Sequence, residues 1–236
     1  MDQMHDLTLH RKKEAEKSEA GSTYGFFKRI IDLFLSITGL IVLSPVFILF
    51  ILAIKLDSRG PVLFKQKRVG IRKGHFYILK FRTMRIDTPK DTPTHLLENP
   101  DQWITKVGKF LRKTSLDELP QILNILKGEM SIIGPRPALW NQYDLIEERE
   151  KYGANDVPVG LTGWAQINGR DELPIEEKAR LDGEYVQNRG HKLDAICFIG
   201  TFTAVLRRKG VIEGGTGMMK CVKPLKEKKG EERESA

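Results

Sequence analysis

The residues best suited to chemistry are Asp117 and Glu118, two adjacent acids in the segment LRKTSLDELPQ at 111–121. Arg112 and Lys113 lie just before the pair. A carboxylate at a helix N-terminus feels the positive end of the helix dipole, and nearby cations also favour its ionised form. Because an ionised carboxylate can attack phosphorus or hold a magnesium ion, we predict that both acids are catalytic and that both bind Mg2+.

A structural explanation competes for one of the two acids. Ser115 and Glu118 fit the S-x-x-E capping box, and Pro120 suits the first turn of a helix. Under this explanation Glu118 holds a helix N-terminus and need not take part in catalysis. Asp117 has no comparable structural explanation, so it is the stronger candidate of the two.

Two further segments offer groups that could bind phosphate. In the segment GPRP at 134–137 the prolines fix the local backbone, so Arg136 is presented on a stiff loop and could bind phosphate through two hydrogen bonds. A rigid turn with an exposed arginine would have the same sequence. The glycine-rich segment 160–170 carries Gln166 and Arg170, which could line a polar pocket. A turn-rich structural loop would have a similar composition.

The excess positive charge of the chain is concentrated in one segment. The 236 residues carry a net charge of +8, and residues 58–86 contain nine basic residues and no acid. Outside that segment 30 basic residues balance 31 acidic ones. The basic segment directly follows the most apolar stretch of the chain, which favours anionic lipid headgroups or a phosphorylated substrate over nucleic acid. A solvated surface hairpin could carry the same charge.

The apolar stretch, residues 33–54, is long enough to cross a membrane because it runs for 22 residues without a charge. Ser44-Pro45 interrupts it at the middle, where proline removes a backbone hydrogen bond. Two arrangements stay open on physical grounds: a re-entrant hairpin bent at Ser44-Pro45, and a spanning helix with a proline kink. The positive-inside rule does not decide between them, since both flanks are basic, with Lys28, Arg29, Lys55 and Arg59.

The remaining periodicity predicts a β-hairpin over 61–84 and helices over 103–111, 120–127 and 174–187. Residues 130–133 predict a short strand. Residues 193–206 place their apolar side chains on one helical face and end beside a basic run. Such a helix fits either a membrane interface or a core-facing position with a basic end.

Taken together, these segments resemble the bacterial sugar transferase family, the monotopic phosphoglycosyl transferases, in a compact form. The similarity extends over roughly residues 26–210, and the joint order of the segments is more specific than any one of them. The matching segments, in the order of the family, are KRIID (28–32), SP (44–45), GPVLFKQKRVG (60–70), KFRTM (80–84), SLDELPQ (115–121), IGPRP (133–137) and GLTG (160–163).

The resemblance implies transfer of a sugar phosphate from a UDP-sugar to undecaprenyl phosphate, with release of UMP. It implies that Asp117 is the nucleophile and forms a covalent phosphosugar intermediate, and that Glu118 assists through Mg2+ or by orienting groups. The cations implied to bind phosphate are Lys80, Arg112 and Arg136. Compact members often use N-acetylated amino sugars, although this sequence does not identify the sugar.

The resemblance also favours the re-entrant hairpin, with Lys28 and Asp32 anchoring it at the interface. The expected fold class is α+β: a small helix-rich cytosolic domain with a short β-hairpin, attached by the re-entrant hairpin and by interfacial amphipathic helices. The expected organisation is a flexible tail (1–22), the membrane hairpin (23–56), the catalytic domain (57–212) and a charged tail (213–236).

The expected location is the cytoplasmic face of the bacterial cell membrane, and the expected process is the first membrane step of exopolysaccharide, capsule or other glycan assembly. Anionic membrane lipids are expected partners, nucleic acid is not, and a homodimer is left open. The alternative function is a non-catalytic lipid-binding membrane scaffold, in which the acidic pair only caps a helix.

Overall fold

The chain forms a bent helical pair followed by an α+β unit, in a computed structural model that describes residues 23–88, 102–169 and 173–207. The predicted tails, 1–22 and 213–236, lie outside the described residues. The first helix, α1, is Thr23–Val42, and the second, α2, is Ser44–Asp57; their axes differ by 62°. None of the described helices is by itself long and apolar enough to cross a membrane, whereas this bent pair meets the length and composition of a broken span or a re-entrant loop.

The bend lies at Ser44-Pro45, as the sequence predicts. Leu43 leaves the helical conformation with φ −88° and ψ 0°, and Pro45 occupies the first turn of α2. The Ser44 hydroxyl donates to the Ile41 carbonyl at 2.8 Å, which satisfies one acceptor at the end of α1. The break is therefore confirmed, while its position relative to a membrane stays a prediction.

The basic segment forms the predicted hairpin. Strands β1 (Leu63–Val69) and β2 (His75–Phe81) pair antiparallel, with Leu63 opposite Phe81 and Val69 opposite His75. A single 3-10 turn, Ile71–Lys73, connects the strands. The apolar side of β2 is buried and its Lys80 side chain leaves the sheet toward the next helical segment.

Helix α3 (Lys106–Lys113) begins three residues later than the helical spacing predicts, because the Thr105 side chain accepts a hydrogen bond from the Gly108 N–H and ends the preceding extended segment. A left-handed residue, Ser115, then separates α3 from a 3-10 helix, Leu116–Gln121. Helix α4 (Ile122–Lys127) follows and ends, as predicted, at Gly128. The acidic pair therefore lies on a 3-10 helix between two short α-helices.

The C-terminal part contains a second small sheet and four helices. Strands β3 (Ser131–Ile133) and β4 (Gly160–Thr162) pair in parallel, so the described residues hold two two-stranded sheets and confirm the α+β class. The predicted helix over 174–187 is also confirmed. The four helices are α5 (Tyr143–Glu150), α6 (Trp164–Ile167), α7 (Ile175–Asn188) and α8 (His191–Arg207).

The C-terminal half of α2 shares a hydrophobic core with the elements that carry the acidic pair. Phe50 and Ile54 pack in one cluster with Phe81 of β2 and Leu111 of α3, and Leu111 is fully buried. Burying each such side chain stabilises the fold by about 1.5–3 kcal/mol. The predicted boundary between membrane hairpin and catalytic domain, after residue 56, therefore falls within one continuous core.

Polar contacts at the end of α2 strengthen this attachment. The Asp57 carboxylate accepts a hydrogen bond from the Val107 N–H at 2.9 Å and so caps the start of α3. The buried guanidinium of Arg82, directly after β2, donates to the carbonyls of Arg59 and Ser58 at 2.9 and 2.7 Å. The segment that leaves the apolar pair is thus held against both β2 and α3.

Candidate active site

Glu118 brings two of the predicted phosphate-binding cations together. Its carboxylate accepts hydrogen bonds from Lys80 Nζ at 2.8 Å and from Arg136 Nη2 at 2.7 Å. Arg136 Nη1 approaches the second oxygen at 3.4 Å. Glu118 is buried, so these contacts form away from bulk solvent and are stronger than surface ion pairs. Strand β2, the 3-10 helix and the loop after β3 therefore meet at one carboxylate.

The capping-box interpretation of Glu118 is wrong. A capping serine needs an extended backbone, whereas Ser115 has φ 57° and its side chain makes no capping hydrogen bond. The Ser115 N–H donates to the Arg112 carbonyl, in the tight turn that ends α3. The carboxylate of Glu118 points instead to Lys80 and Arg136. The scaffold hypothesis, which gave the acidic pair only a capping role, thereby loses its structural basis.

Asp117 lies half-buried beside this ion-pair cluster. Burial raises the pKa of its carboxyl above the ordinary value, and the neighbouring Glu118 carboxylate raises it further. The positive charges of Lys80, Arg112 and Arg136 act in the opposite direction without cancelling the rise. The helix end and the cations predict an ionised Asp117, but burial, which the sequence does not reveal, raises the pKa instead.

The two acids of the pair therefore differ in their contacts. Glu118 is held by the two cations of strand β2 and the loop after β3. Among the described residues, no hydrogen bond or ion pair engages the Asp117 carboxylate. An acid that is placed near three cations yet held by none is suited to act on a ligand.

Arg112, at the end of α3, is oriented by a residue that the sequence analysis did not single out. Its Nε donates to the hydroxyl of Thr83 at 2.8 Å. Thr83 is buried and follows β2 directly. In the sequence, the only feature that marked Thr83 was its place in the segment KFRTM. That segment did not indicate that Thr83 contacts Arg112.

The loop that carries Arg136 is held firmly, as the proline pattern predicts. The Gly134 N–H donates to the Thr162 carbonyl and the Gly160 N–H donates to the Pro135 carbonyl, each at 2.8 Å. A Cβ on Gly134 would lie 2.3 Å from the carbonyl oxygen of Pro158, so only glycine fits this approach. The guanidinium of Arg136 is therefore presented from a fixed backbone.

Gln166 is buried beneath this loop. Its side-chain amide donates to the Gly134 carbonyl at 3.3 Å, and within the described part of the chain its Oε1 has no hydrogen-bond partner. Gln166 therefore supports the loop through its backbone. Direct contact of Gln166 with a substrate stays a prediction. Arg170, the other predicted substrate contact of this segment, lies outside the described residues.

A second polar cluster joins α1 to α7 and α8. The Asp194 carboxylate accepts hydrogen bonds from Lys28 Nζ, the Tyr24 hydroxyl and the Tyr185 hydroxyl, each at 2.8 Å. Burial raises the pKa of Tyr24 and of Tyr185, so both remain protonated donors. We call this set, Tyr24, Lys28, Tyr185 and Asp194, the helix joint. Asp194 was not predicted as a site residue. The only feature that marked it in the sequence is that it is an acid in the first turn of an otherwise apolar helix.

The other predicted anchor, Asp32, also contacts the α+β unit. Its carboxylate accepts a hydrogen bond from the Ile132 N–H of β3 at 3.0 Å. Next to it, Arg29 donates to the carbonyls of Ile125 and Leu126 at the end of α4. Lys28 and Asp32 therefore fasten α1 to the α+β unit, and any contact they make with a membrane interface stays a prediction.

The carboxylates fit Mg2+ only with help from a ligand. The described residues contain no group of three or more histidine, cysteine, aspartate or glutamate side chains that could hold a metal ion. Magnesium is commonly bound by one or two carboxylates together with substrate phosphates. Asp117 fits that arrangement, whereas the oxygens of Glu118 already accept from Lys80 and Arg136.

The outward faces of the helical pair and of α8 are apolar and exposed. On α1, Phe26 and Phe34 are each about two-thirds exposed, and on α8, Ile199 and Phe202 are similarly open. Cys197, Leu193 and Asp194 face inward from the same helix. Exposed apolar side chains on one helix face are typical of an interaction surface, and those of α8 fit the amphipathic character predicted for 193–206.

The sequence matches the family described as bacterial sugar transferase over residues 23–208. It is similar to the uncharacterized sugar transferase EpsL of Bacillus subtilis, with 40% identity covering 78% of this chain and 89% of that protein. It is 36% identical to the exopolysaccharide production protein ExoY of Sinorhizobium fredii, covering 79% and 88% of the two chains. It is 43% identical to the UDP-glucose:undecaprenyl-phosphate glucose-1-phosphate transferase of Escherichia coli, covering 68% of this chain and 36% of that enzyme. The chain thus spans most of the two compact relatives and about a third of the longer one.

Proposed function

The chain belongs to the bacterial sugar transferase family and is an enzyme of the phosphoglycosyl transferase class, and we propose that it transfers a sugar phosphate from a UDP-sugar to undecaprenyl phosphate with release of UMP. The observation that carries the proposal is the arrangement of three cations around the adjacent acids Asp117 and Glu118. The names of several relatives give the same donor and acceptor. The name of ExoY supports a place in exopolysaccharide production.

The cations bind the diphosphate of the donor. Arg112 and Arg136 are suited to bidentate contact with phosphate oxygens, and Lys80 adds a point charge beside Glu118. The Glu118 carboxylate accepts from Lys80 and Arg136. Glu118 thereby holds both side chains at the site before the donor arrives, so less ordering is required on binding.

Asp117 acts as the nucleophile. One of its oxygens attacks the phosphorus that bears the sugar, and the bond from that phosphorus to the bridging oxygen breaks, so UMP leaves with the electron pair. An oxygen of undecaprenyl phosphate then attacks the same phosphorus, forms the lipid diphosphate linkage and returns the Asp117 carboxylate. The covalent route divides one displacement between two bulky anions into two simpler steps. The neighbouring cations stabilise the charge that develops on the phosphate oxygens.

Mg2+ would be held by Asp117 together with the diphosphate oxygens, and it would supply charge neutralisation when bound. Glu118 would act on it indirectly, since its oxygens already accept from Lys80 and Arg136. Both parts of this assignment are testable by titrating the ion against donor binding in the Asp117→Asn and Glu118→Gln variants.

The enzyme works at the cytoplasmic face of the membrane, with α1 and α2 entering and leaving one leaflet. The 62° bend and the exposed apolar faces of both helices support a re-entrant hairpin. The exposed apolar face of α8 supports a position at the same interface. A soluble nucleotide sugar and a lipid-anchored phosphate can meet only at such a surface, which this arrangement provides.

The first donor to test is UDP-glucose, because it appears in the names of several longer relatives. The names of the two compact relatives carry no sugar. N-acetylated amino sugars, expected from the resemblance to compact members, form the second group of donors.

The test is a release assay with purified enzyme, undecaprenyl phosphate and Mg2+ against a panel of UDP-sugars. UMP should appear with at least one donor and only in the presence of the enzyme. Without the lipid acceptor, a label in the sugar should remain on the protein in a denaturation-resistant, hydroxylamine-sensitive form. Turnover that requires both substrates at once, with no labelled protein, would contradict the covalent step.

A further inference from the structure

Thr83 lies between the strand that carries Lys80 and the helix that carries Arg112. It is buried and follows β2 three positions beyond Lys80. Both cations lower the pKa of Asp117, so both act on the same carboxylate. A residue that contacts both elements is placed to set the distance between the two charges.

One face of α3 packs against Thr83. The Thr105 N–H, at the helix start, donates to the Thr83 carbonyl at 3.0 Å. A Cβ on Gly108 would lie 2.0 Å from the same carbonyl oxygen, so only glycine allows this approach. Residues 105, 108 and 112 fall on one side of a helix because they are three and four positions apart. The helix is therefore set against Thr83 at its start, at Gly108 and through the side chain of Arg112.

The third contact of this face fixes the guanidinium of Arg112. Its Nε–H donates to the Thr83 hydroxyl at 2.8 Å. Since that N–H is used, a phosphate must be bound by the edge formed by the two Nη atoms. The hydroxyl of Thr83 thus determines which edge of Arg112 is presented to a ligand and in which direction it points.

We propose that Thr83 is a positioning residue, whose hydroxyl orients the Arg112 guanidinium for the diphosphate of the nucleotide. The proposal rests on the proposed function, since it names a residue of the same site. Thr83 itself does not touch the substrate. Its effect is transmitted through one hydrogen bond and should disappear when Arg112 no longer has an Nε–H to donate.

The test uses Thr83→Val, which keeps the shape of the side chain and the backbone contacts but removes the hydroxyl. The probe is UDP, whose binding does not depend on which sugar is transferred, measured by calorimetry in the Asp117→Asn background. Loss of a hydrogen bond to a charged group should weaken UDP binding about tenfold. Thr83→Ser should restore binding to within about twofold of its parent. Thr114→Val is the matched control at the end of α3, where, among the residues that the structure describes, the hydroxyl bonds only the helix carbonyls of Phe110 and Leu111.

A double-mutant cycle separates positioning from a general structural effect. In an Arg112→Lys background, where no Nε–H exists, Thr83→Val should change UDP binding by less than about twofold. A further tenfold loss in that background, or UDP binding in Thr83→Val as tight as in its parent, overturns the proposal. The proposed function fails separately if the wild-type enzyme binds UDP but releases no UMP from any UDP-sugar, because the cycle is still measured by binding.

Discussion

The active-site cluster, made of Lys80, Arg112, Asp117, Glu118 and Arg136, and the helix joint are each built on a carboxylate that accepts hydrogen bonds from more than one group, yet they leave their acids in different states. In the helix joint, Asp194 accepts from Lys28 and from two tyrosine hydroxyls, so the carboxylate is paired with each of these groups. In the active-site cluster, Glu118 takes the contacts from Lys80 and Arg136, and Asp117 is left with a raised pKa.

A structural polar cluster and a functional one differ in whether their carboxylates are paired. A paired carboxylate in a buried cluster fixes geometry, and removing it leaves its partners without compensation. A carboxylate that is crowded by charge but not paired costs stability in the resting enzyme and gains its partner only when a ligand arrives. Variants of Asp117 and of Asp194 should therefore have opposite effects on stability and activity.

The largest effect is expected for Asp117→Asn, which removes the nucleophile. Turnover should fall by roughly 10⁴-fold or more, measured as UMP release. Because the raised pKa means that the fold disfavours the ionised form, the wild-type protein loses stability as pH rises from the ordinary aspartate pKa through the raised one. The Asn variant lacks this cost, so its Tm should equal or exceed that of the wild type at neutral pH. A clearly lower Tm for Asp117→Asn than for the wild type would show that Asp117 stabilises the fold, as Asp194 does.

Glu118→Gln should be the next largest change. It removes the charge that holds Lys80 and Arg136, so we expect about a 100-fold loss of turnover and a loss of about 3 kcal/mol of stability. The measurements are UMP release and thermal unfolding. Glu150→Gln is the matched control, since Glu150 pairs with Lys73 at an exposed site, where solvent screens the pair and its loss should change stability little. If Glu150→Gln lowered turnover and stability as much as Glu118→Gln, the buried and the exposed ion pair would not differ in their contribution.

Asp194→Asn should destabilise the protein by about 3 kcal/mol while leaving the turnover per folded molecule within about threefold of wild type. Lys28 and Asp194 are both largely buried, so losing one charge leaves the other uncompensated. Asp87→Asn, at an exposed pair with Arg85, is the control. A 100-fold loss of turnover in folded Asp194→Asn would show that the helix joint acts on the chemistry.

The smallest effect concerns the pH dependence of turnover. Asp117 must be ionised to attack, so activity should fall with decreasing pH at a higher value than an ordinary aspartate would give. Since the Glu118 carboxylate contributes to the raised pKa, Glu118→Gln should move this acidic limb to lower pH. A profile of kcat/KM against pH for both proteins measures the shift, and an acidic limb that moves upward or not at all contradicts the coupling.

The features that follow from local sequence could be predicted. The β-hairpin comes from alternation and its turn residues, the bend comes from Pro45, and the candidate nucleophile comes from adjacent acids beside basic residues. The parallel pairing of β3 with β4 and the approach at Gly134 depend on the whole fold, although a stiff loop around Arg136 could be predicted from its prolines.

The partners of the acids could not be predicted, because they are distant in the chain. Lys80 is 38 positions from Glu118, and Lys28 is 166 positions from Asp194. The capping box failed for a related reason: the spacing of Ser115 and Glu118 was right, but the tight turn after α3 forced a left-handed backbone. The rise in the pKa of Asp117 needs knowledge of burial, which periodicity does not supply.

The core shared by α2 and the α+β unit has a practical consequence for producing a soluble enzyme. A protein shortened to begin at residue 57 would lose Phe50 and Ile54 from the cluster around Phe81 and Leu111. Each such loss leaves a cavity that costs about 2–5 kcal/mol, which together approach the whole stability of a typical domain. Solubility is therefore better sought by replacing the outward apolar residues of α1 and α2 with polar ones than by cutting the helices away.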